Sequence, residues 1–155
     1  NFVAKCPLFA YQVRMVGQMS VSQIIESITG AKLGEELAVR FLEEQGFRIF
    51  DRNYNFEKAE VDIVAYWENP ENPAATAELH FIEVKTLTNT TDRNPEDAVN
   101  MDKLKNMAKV AQFYLFERQL VTVPTVFDVI AIGLDDIDDP HIEHFEDVYR
   151  PETRY

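Results

Sequence analysis

Apolar residues recur along the first third of the chain with a helical period and then with the alternating period of a strand. A helix is predicted over residues 32–45, where the apolar positions form one stripe and Gly46 follows as a left-handed cap. A shorter helix is predicted before it, from about Ser20 to Ile28. Residues 47–56 alternate between apolar and polar side chains, which predicts a first strand.

Two further strands are predicted at 60–67 and 78–86, which are rich in β-branched and aromatic residues. The segment between them is rich in Pro and Asn, so we expect a hairpin with a long loop. In a symmetric hairpin Asp62 lies opposite Glu83, with about 4.5–5.5 Å between the Cβ atoms of directly opposed residues. Lys85 follows Glu83 by two residues and therefore lies on the same face of the strand. The hairpin is thus predicted to gather two acids and an ammonium in one small volume.

The second half of the chain predicts a helix followed by two strands. Asn94 is the predicted N-cap, the following Pro suits the first helical position, and the helix is expected to continue to about Gln119. Residues 126–132 are apolar apart from Asp128, which is typical of a strand buried on both faces beside a crossover helix. A weaker strand is predicted at 142–145. The sum is an α/β sandwich with a mixed sheet of four or five strands flanked by helices.

Composition narrows the class of protein. A chain of 155 residues that is 46% hydrophobic is expected to form one globular domain, and it has no apolar run near the roughly 18 residues of a membrane span. The single Cys6 excludes an intramolecular disulfide and a Cys-based zinc site, and no secretory signal pattern is present, so we expect a cytoplasmic protein. The net charge of −12 argues against broad adhesion to phosphate backbones, so any nucleic-acid binding requires a local basic patch.

The charged residues of the hairpin allow two interpretations. One is an ordinary cross-strand charge network on a solvated face. The other is a metal site, which the apolar residues flanking Asp62 and Glu83 favour, because a surplus carboxylate is costly in a buried strand. A pair of carboxylates suits a hard cation such as Mg²⁺, and Glu35, on the core side of its helix, could complete the metal shell through water. His141 and His144 have the spacing of zinc ligands but lack a third ligand, so we expect solvated histidines there.

The order of Asp62, Glu83 and Lys85 resembles the PD-(D/E)xK nuclease signature, in which an Asp precedes a Glu-x-Lys by about twenty residues. From about 32 to 150 the chain is also similar to the YraN-like family of small bacterial proteins. The similarity is carried by GEELA at 34–38, GFRI at 46–49, EVDIVA at 60–65, FIEVKT at 81–86, PEDAV at 95–99 and FDV at 127–129. Members of that family look like nucleases of the Holliday-junction-resolvase type.

The resemblance implies a restriction-endonuclease-like domain over 30–150, with 1–29 as an extension and 151–155 as a tail. Matched by position, the catalytic residues are the glutamate of the first helix and the three charged residues of the hairpin. These are Glu35, Asp62, Glu83 and Lys85. The pattern departs from the family at Ala59, where a Gly is usual, and at Leu87, where an Arg often follows.

The implied function is Mg²⁺- or Mn²⁺-dependent hydrolysis of DNA phosphodiester bonds, at branched structures in repair or recombination. Asp62 and Glu83 are the expected metal ligands, and Lys58, Arg93 and Lys103 are the expected phosphate contacts. A homodimer would let two sites span two strands of a junction. The alternative is a non-catalytic module that binds nucleic acid or protein, which the net charge and the loss of the family Arg favour. A purely structural protein would require the acids to be splayed apart.

Overall fold

The computed structural model describes residues 30–69, 77–87, 100–136 and 138–151. These residues form two helices and five strands, which we number in chain order. They are α1 (Gly30–Glu44), β1 (Arg48–Phe56), β2 (Ala59–Trp67), β3 (Glu78–Leu87), α2 (Met101–Glu117), β4 (Thr125–Gly133) and β5 (His141–Phe145). Neither of the two described helices is long and apolar enough to cross a membrane.

The strands form one sheet in the order β1-β2-β3-β4-β5. Strands β3 and β4 are parallel, and every other neighbouring pair is antiparallel. Parallel neighbours need a crossover connection, and α2 lies between these two strands in the chain. The predicted α/β sandwich with a mixed sheet is therefore confirmed.

The apolar stripes of the two helices cover opposite faces of the sheet. On one face Leu37 and Leu42 of α1 pack with Ile82 and Ile130. On the other face the stripe of α2, which includes Leu104, packs against β2, β3 and β4. The central strands are thus buried on both sides, as their apolar composition predicts.

Helix α1 ends where the sequence predicts. Gly46 has a positive φ of 91°, a backbone conformation that costs glycine little because it has no Cβ. The Phe47 N–H donates to the Leu42 carbonyl at 2.9 Å, and the Gly46 N–H donates to the Glu43 carbonyl at 3.0 Å. These bonds satisfy carbonyls at the helix end and direct the chain into β1.

Helix α2 begins later than predicted. Asn100 has extended backbone (φ −106°, ψ 108°), and its side chain accepts hydrogen bonds from the N–H groups of Asp102 and Lys103. A continuous helix from Asn94 to about Gln119 is therefore wrong at Asn100, which is the observed N-cap. The position of Asn94 itself lies outside the described residues.

Two tyrosines fix the C-terminal end of α2 to the edge strand β1. Tyr114 Oη donates to Asp51 Oδ2 at 2.7 Å, and Tyr54 Oη donates to Glu117 Oε2 at 2.8 Å. Burial, together with the hydrogen bond to Asp51, raises the pKa of Tyr114 well above its ordinary value, and burial together with Glu117 raises the pKa of Tyr54 to about 12, so both phenols stay protonated. With one end fixed, the first turn of α2 is held over the opposite part of the sheet.

All five predicted strands agree with the observed strands to within one residue at each end. The predicted helix at 20–28, the extension 1–29 and residues 152–155 of the tail lie outside the described residues.

Candidate active site

A cavity of about 400 Å³ opens where β2 and β3 meet the N-terminal halves of α1 and α2. Its lining includes all four residues predicted to be catalytic, together with one of the predicted phosphate contacts. These are Glu35, Asp62, Glu83, Lys85 and Lys103. Three acids and two bases from four elements therefore share one cavity.

The hairpin register brings Asp62 and Glu83 together. Ile63 is paired with Ile82, and one step further along both antiparallel strands reaches Asp62 and Glu83. Asp62 Oδ2 accepts a hydrogen bond of 2.7 Å from the Val84 N–H, which holds its carboxylate at the strand. The predicted opposition of the two acids agrees with this register.

Asp62 is in an environment that disfavours its charged form. Its pKa is raised to about 6, first by burial and then by the negative charges of Glu83 and Glu35, while the Val84 hydrogen bond and the charge of Lys103 act in the opposite direction. A carboxylate in such a place gains stability from any cation that enters the cavity.

Glu83 is paired with Lys103 rather than left exposed. The Lys103 ammonium contacts Glu83 Oε1 and donates a hydrogen bond to it. This hydrogen bond raises the pKa of Lys103 against the effect of burial, and the charges of Glu83, Asp62 and Glu60 add to the rise. The Glu83 side chain is 13% exposed and that of Lys103 is 64% exposed, so the lysine reaches into the cavity from the solvent side.

Glu35 is held by β1. Asn53 Nδ2 donates to Glu35 Oε2 at 3.1 Å, and an Arg52 guanidinium nitrogen lies 3.9 Å from the same oxygen but only 2.7 Å from Glu36. The inward lean predicted for Glu35 agrees with its side-chain exposure of 21%, against 37% for Glu36. Asn53 has a positive φ of 51°, a conformation that Asn tolerates better than most residues.

Close approach of α1 to β3 completes the cavity wall. A Cβ placed on Gly34 would lie 2.2 Å from Thr86 Oγ1, so only glycine allows this helix turn to come so near the strand. Gly34 directly precedes Glu35, and Thr86 directly follows Lys85. The glycine therefore allows α1, which carries Glu35, to lie close to β3, which carries Lys85.

Comparison with known proteins identifies the family. A family model described as "Uncharacterised protein family UPF0102" matches residues 34–132. The chain belongs to the UPF0102 family. The match confirms the resemblance to YraN-like proteins.

Relatives in this family are similar over most of their length. A UPF0102 protein of Flavobacterium psychrophilum is 35% identical over 118 residues, which cover 76% of this chain and 91% of the relative. One from Bacteroides thetaiotaomicron is 37% identical over 120 residues, covering 77% and 91%. A third, from Desulforapulum autotrophicum, is 42% identical over 101 residues, covering 65% and 77%.

One predicted phosphate contact of this UPF0102 chain, Lys58, is not brought to the cavity. Lys58 lies in the exposed turn between β1 and β2 and does not line the cavity. Arg93 lies outside the described residues. Of the two predicted contacts that the structure describes, Lys103 lines the cavity and Lys58 does not.

The donor atoms of the cavity suit a hard cation. Asp62 and Glu83 offer carboxylate oxygens, and Mg²⁺ typically uses one or two carboxylates while it keeps several waters. Within the described ranges, no group of three or more His, Cys, Asp or Glu side chains is close enough to hold a metal ion. In the described part of the UPF0102 chain, the cavity residues that could hold such a cation are Asp62 and Glu83.

The sequence did not reveal two asparagines that position charged side chains of the cavity. Asn53 holds Glu35, and Asn100 caps α2 at the turn that carries Lys103. The available signal was the preference of Asn for left-handed backbone and for N-caps. Neither signal says which acid or base the Asn will position.

The prediction for His144 is wrong. Its side chain is 8% exposed, and His144 Nε2 lies 3.0 Å from Asp128 Oδ2, which also accepts from His80 Nδ1 at 2.7 Å. Asp128 Oδ1 accepts from the Asp147 N–H at 2.9 Å. His141 is exposed, as predicted, whereas His144 is buried because β5 pairs with β4 beside the fully buried Asp128.

Proposed function

We propose that this UPF0102 chain is a divalent-metal-dependent phosphodiesterase that hydrolyses DNA, preferably at branched structures. The observation that carries the proposal is the convergence of Glu35, Asp62, Glu83 and Lys85 on one cavity. A chance charge network would not need two acids side by side on central strands, next to the fully buried Val61, Ile63 and Ile82.

Each residue of the cavity has a chemical role in the proposal. Asp62 and Glu83 hold Mg²⁺ or Mn²⁺, which supplies polarisation of a phosphoryl oxygen and a bound water of lowered pKa. Lys85 would orient the attacking water or stabilise the negative charge that develops on the phosphate oxygens in the transition state. Glu35, fixed by Asn53, binds a water at the edge of the site.

The proposal predicts that cleavage depends on the acids of the cavity. The assay compares a four-way DNA junction and a linear duplex, with Mg²⁺, with Mn²⁺ or with EDTA. We expect cleavage by the parent only with metal, no cleavage by Asp62→Asn or Glu83→Gln, and a loss of about 10²–10⁴-fold in Lys85→Met.

A matched control removes the same charge elsewhere. Glu43 is exposed on α1 and does not line the cavity, so Glu43→Gln should cleave like the parent. Cleavage by Asp62→Asn at the parental rate would contradict the proposal, because the reaction would then not use the paired acids.

A second candidate function rests on the pairing of the acids. Glu83 already contacts Lys103, and Asp62 already accepts from Val84, as they would in a module that binds DNA without cleaving it. The same assay separates the two functions. Retarded mobility of the junction without any product, with Mg²⁺ and with Mn²⁺, would favour the binding module.

A further inference from the structure

The Lys103 ammonium lies among negatively charged side chains. It contacts Glu83 Oε1, and the charges of Asp62 and Glu60 also act on it. Three acids line the cavity against two lysines, so removal of Lys103 would leave the acids with less compensation. In the absence of metal, this ammonium serves as the counter-ion of Glu83.

The geometry of Lys103 allows it to leave. Its side chain is 64% exposed and starts from the first turn of α2, whereas the side chain of Glu83 is only 13% exposed. A lysine has a flexible four-carbon stem and a compact charge that can exchange partners. The carboxylate stays in place when the ammonium moves away.

We propose that Lys103 is a resident cation which a divalent metal displaces from Glu83, and which then binds a DNA phosphate at the mouth of the cavity. The inference rests on the proposed function and adds a regulatory step to it. Metal and DNA would bind cooperatively, because metal frees the lysine and DNA gives the freed ammonium a new partner. Such coupling is reciprocal: DNA must raise the affinity for metal by the same factor.

The first arm of the test measures metal binding without DNA. Calorimetric Mg²⁺ titrations are compared for the parent, Lys103→Met and the matched control Lys109→Met, an exposed lysine of α2 that does not line the cavity. We expect Lys103→Met to bind Mg²⁺ roughly fivefold or more tightly than the parent, the low end of typical coupling between sites. Lys109→Met should bind Mg²⁺ like the parent.

The outcomes of this arm are distinct. If the parent binds Mg²⁺ and Lys103→Met binds it equally or more weakly, the inference is overturned and the proposed function stands. If the parent binds neither Mg²⁺ nor Mn²⁺, the proposed function itself fails. Melting curves of both variants, recorded with EDTA, show that each is folded. They should also show Lys103→Met melting below Lys109→Met, because Lys103, unlike Lys109, offsets the acids of the cavity.

The second arm measures DNA affinity in EDTA and in Ca²⁺, a divalent cation with the same preference for oxygen ligands. The parent and Lys109→Met should gain affinity for the junction when Ca²⁺ is added. Lys103→Met should gain less, and Lys103→Arg should recover the parental gain because it keeps the charge. An equal gain in Lys103→Met would show that the displaced ammonium does not reach a phosphate.

Discussion

At the scale of single residues, the buried Asp128 has an effect on stability that depends on pH. Burial acts to raise its pKa, but hydrogen bonds from His144 and His80 outweigh this, so the pKa of Asp128 lies below its ordinary value. The folded state therefore favours the carboxylate. This contribution to stability is fully present above the pKa that Asp128 has in the unfolded chain, about 3.9. It is lost as the pH falls through the lower pKa of Asp128 in the folded protein.

The variant Asp128→Asn tests the direction of this pH dependence. The variant keeps the size of the side chain but cannot accept from His80, His144 and the Asp147 N–H together. We expect it to be less stable by roughly 1–3 kcal/mol at neutral pH, the usual effect of leaving a buried hydrogen-bonding group without its partner. In urea unfolding from pH 7 to pH 3, the difference from the parent should shrink below about pH 4. A difference that grows below pH 4 would contradict the assigned charge.

At the scale of elements, the contact between α1 and β3 is set by one glycine. Gly34→Ala would bring a methyl group against Thr86 Oγ1, and such overpacking typically costs about 1–3 kcal/mol. Because Glu35 follows Gly34, the same shift should weaken metal binding. In a Thr86→Ala background the added methyl has room, so most of the loss in melting temperature should disappear. Equal losses in both backgrounds would mean that the contact does not limit the approach of the helix.

The elements also show how far the sequence alone can predict this fold. Strands β2 and β3 were predictable because their β-branched residues and the Pro-rich break between them are local signals. The start of α2 was not, because Asn94 and Asn100 are both good N-caps and only the extended backbone at Asn100 shows where the described helix begins.

The candidate site also has parts that the sequence could predict and parts that it could not. The opposition of Asp62 and Glu83 follows from counting residues along a hairpin, so it was predictable. The contact between Lys103 and Glu83 joins a helix to a strand and depends on how α2 lies over the sheet. His144 was misjudged for the same reason, since its partner Asp128 lies on another strand. The one signal in the sequence that a buried partner was needed was the lone Asp128 in an otherwise apolar strand.

At the scale of the whole molecule, a net charge of −12 limits how DNA can be bound. Few cations are available at the cavity, and each phosphate contact adds about 0.9 to the slope of log affinity against log salt concentration. We therefore expect weak binding with a slope of about 2 to 3, lost at moderate salt. Lys103→Met should lower the slope by about 1, and Lys109→Met should not change it. Binding that persists at high salt would indicate a mode that is not electrostatic.

The central claim is that Asp62 and Glu83 form a pair that repels without metal and binds metal together. The most direct measurement is the melting temperature of the parent and of Asp62→Asn at pH 8, each with EDTA and with a series of Mg²⁺ concentrations. Asn keeps an acceptor for the Val84 N–H but removes the charge. With EDTA the variant should melt higher than the parent, because the repulsion from Glu83 and Glu35 is gone. As the Mg²⁺ concentration increases, the melting temperature of the parent should rise while that of the variant stays constant. At high Mg²⁺ the parent should therefore melt above the variant. A variant that melts lower with EDTA, or that Mg²⁺ stabilises as much as the parent, would contradict the claim.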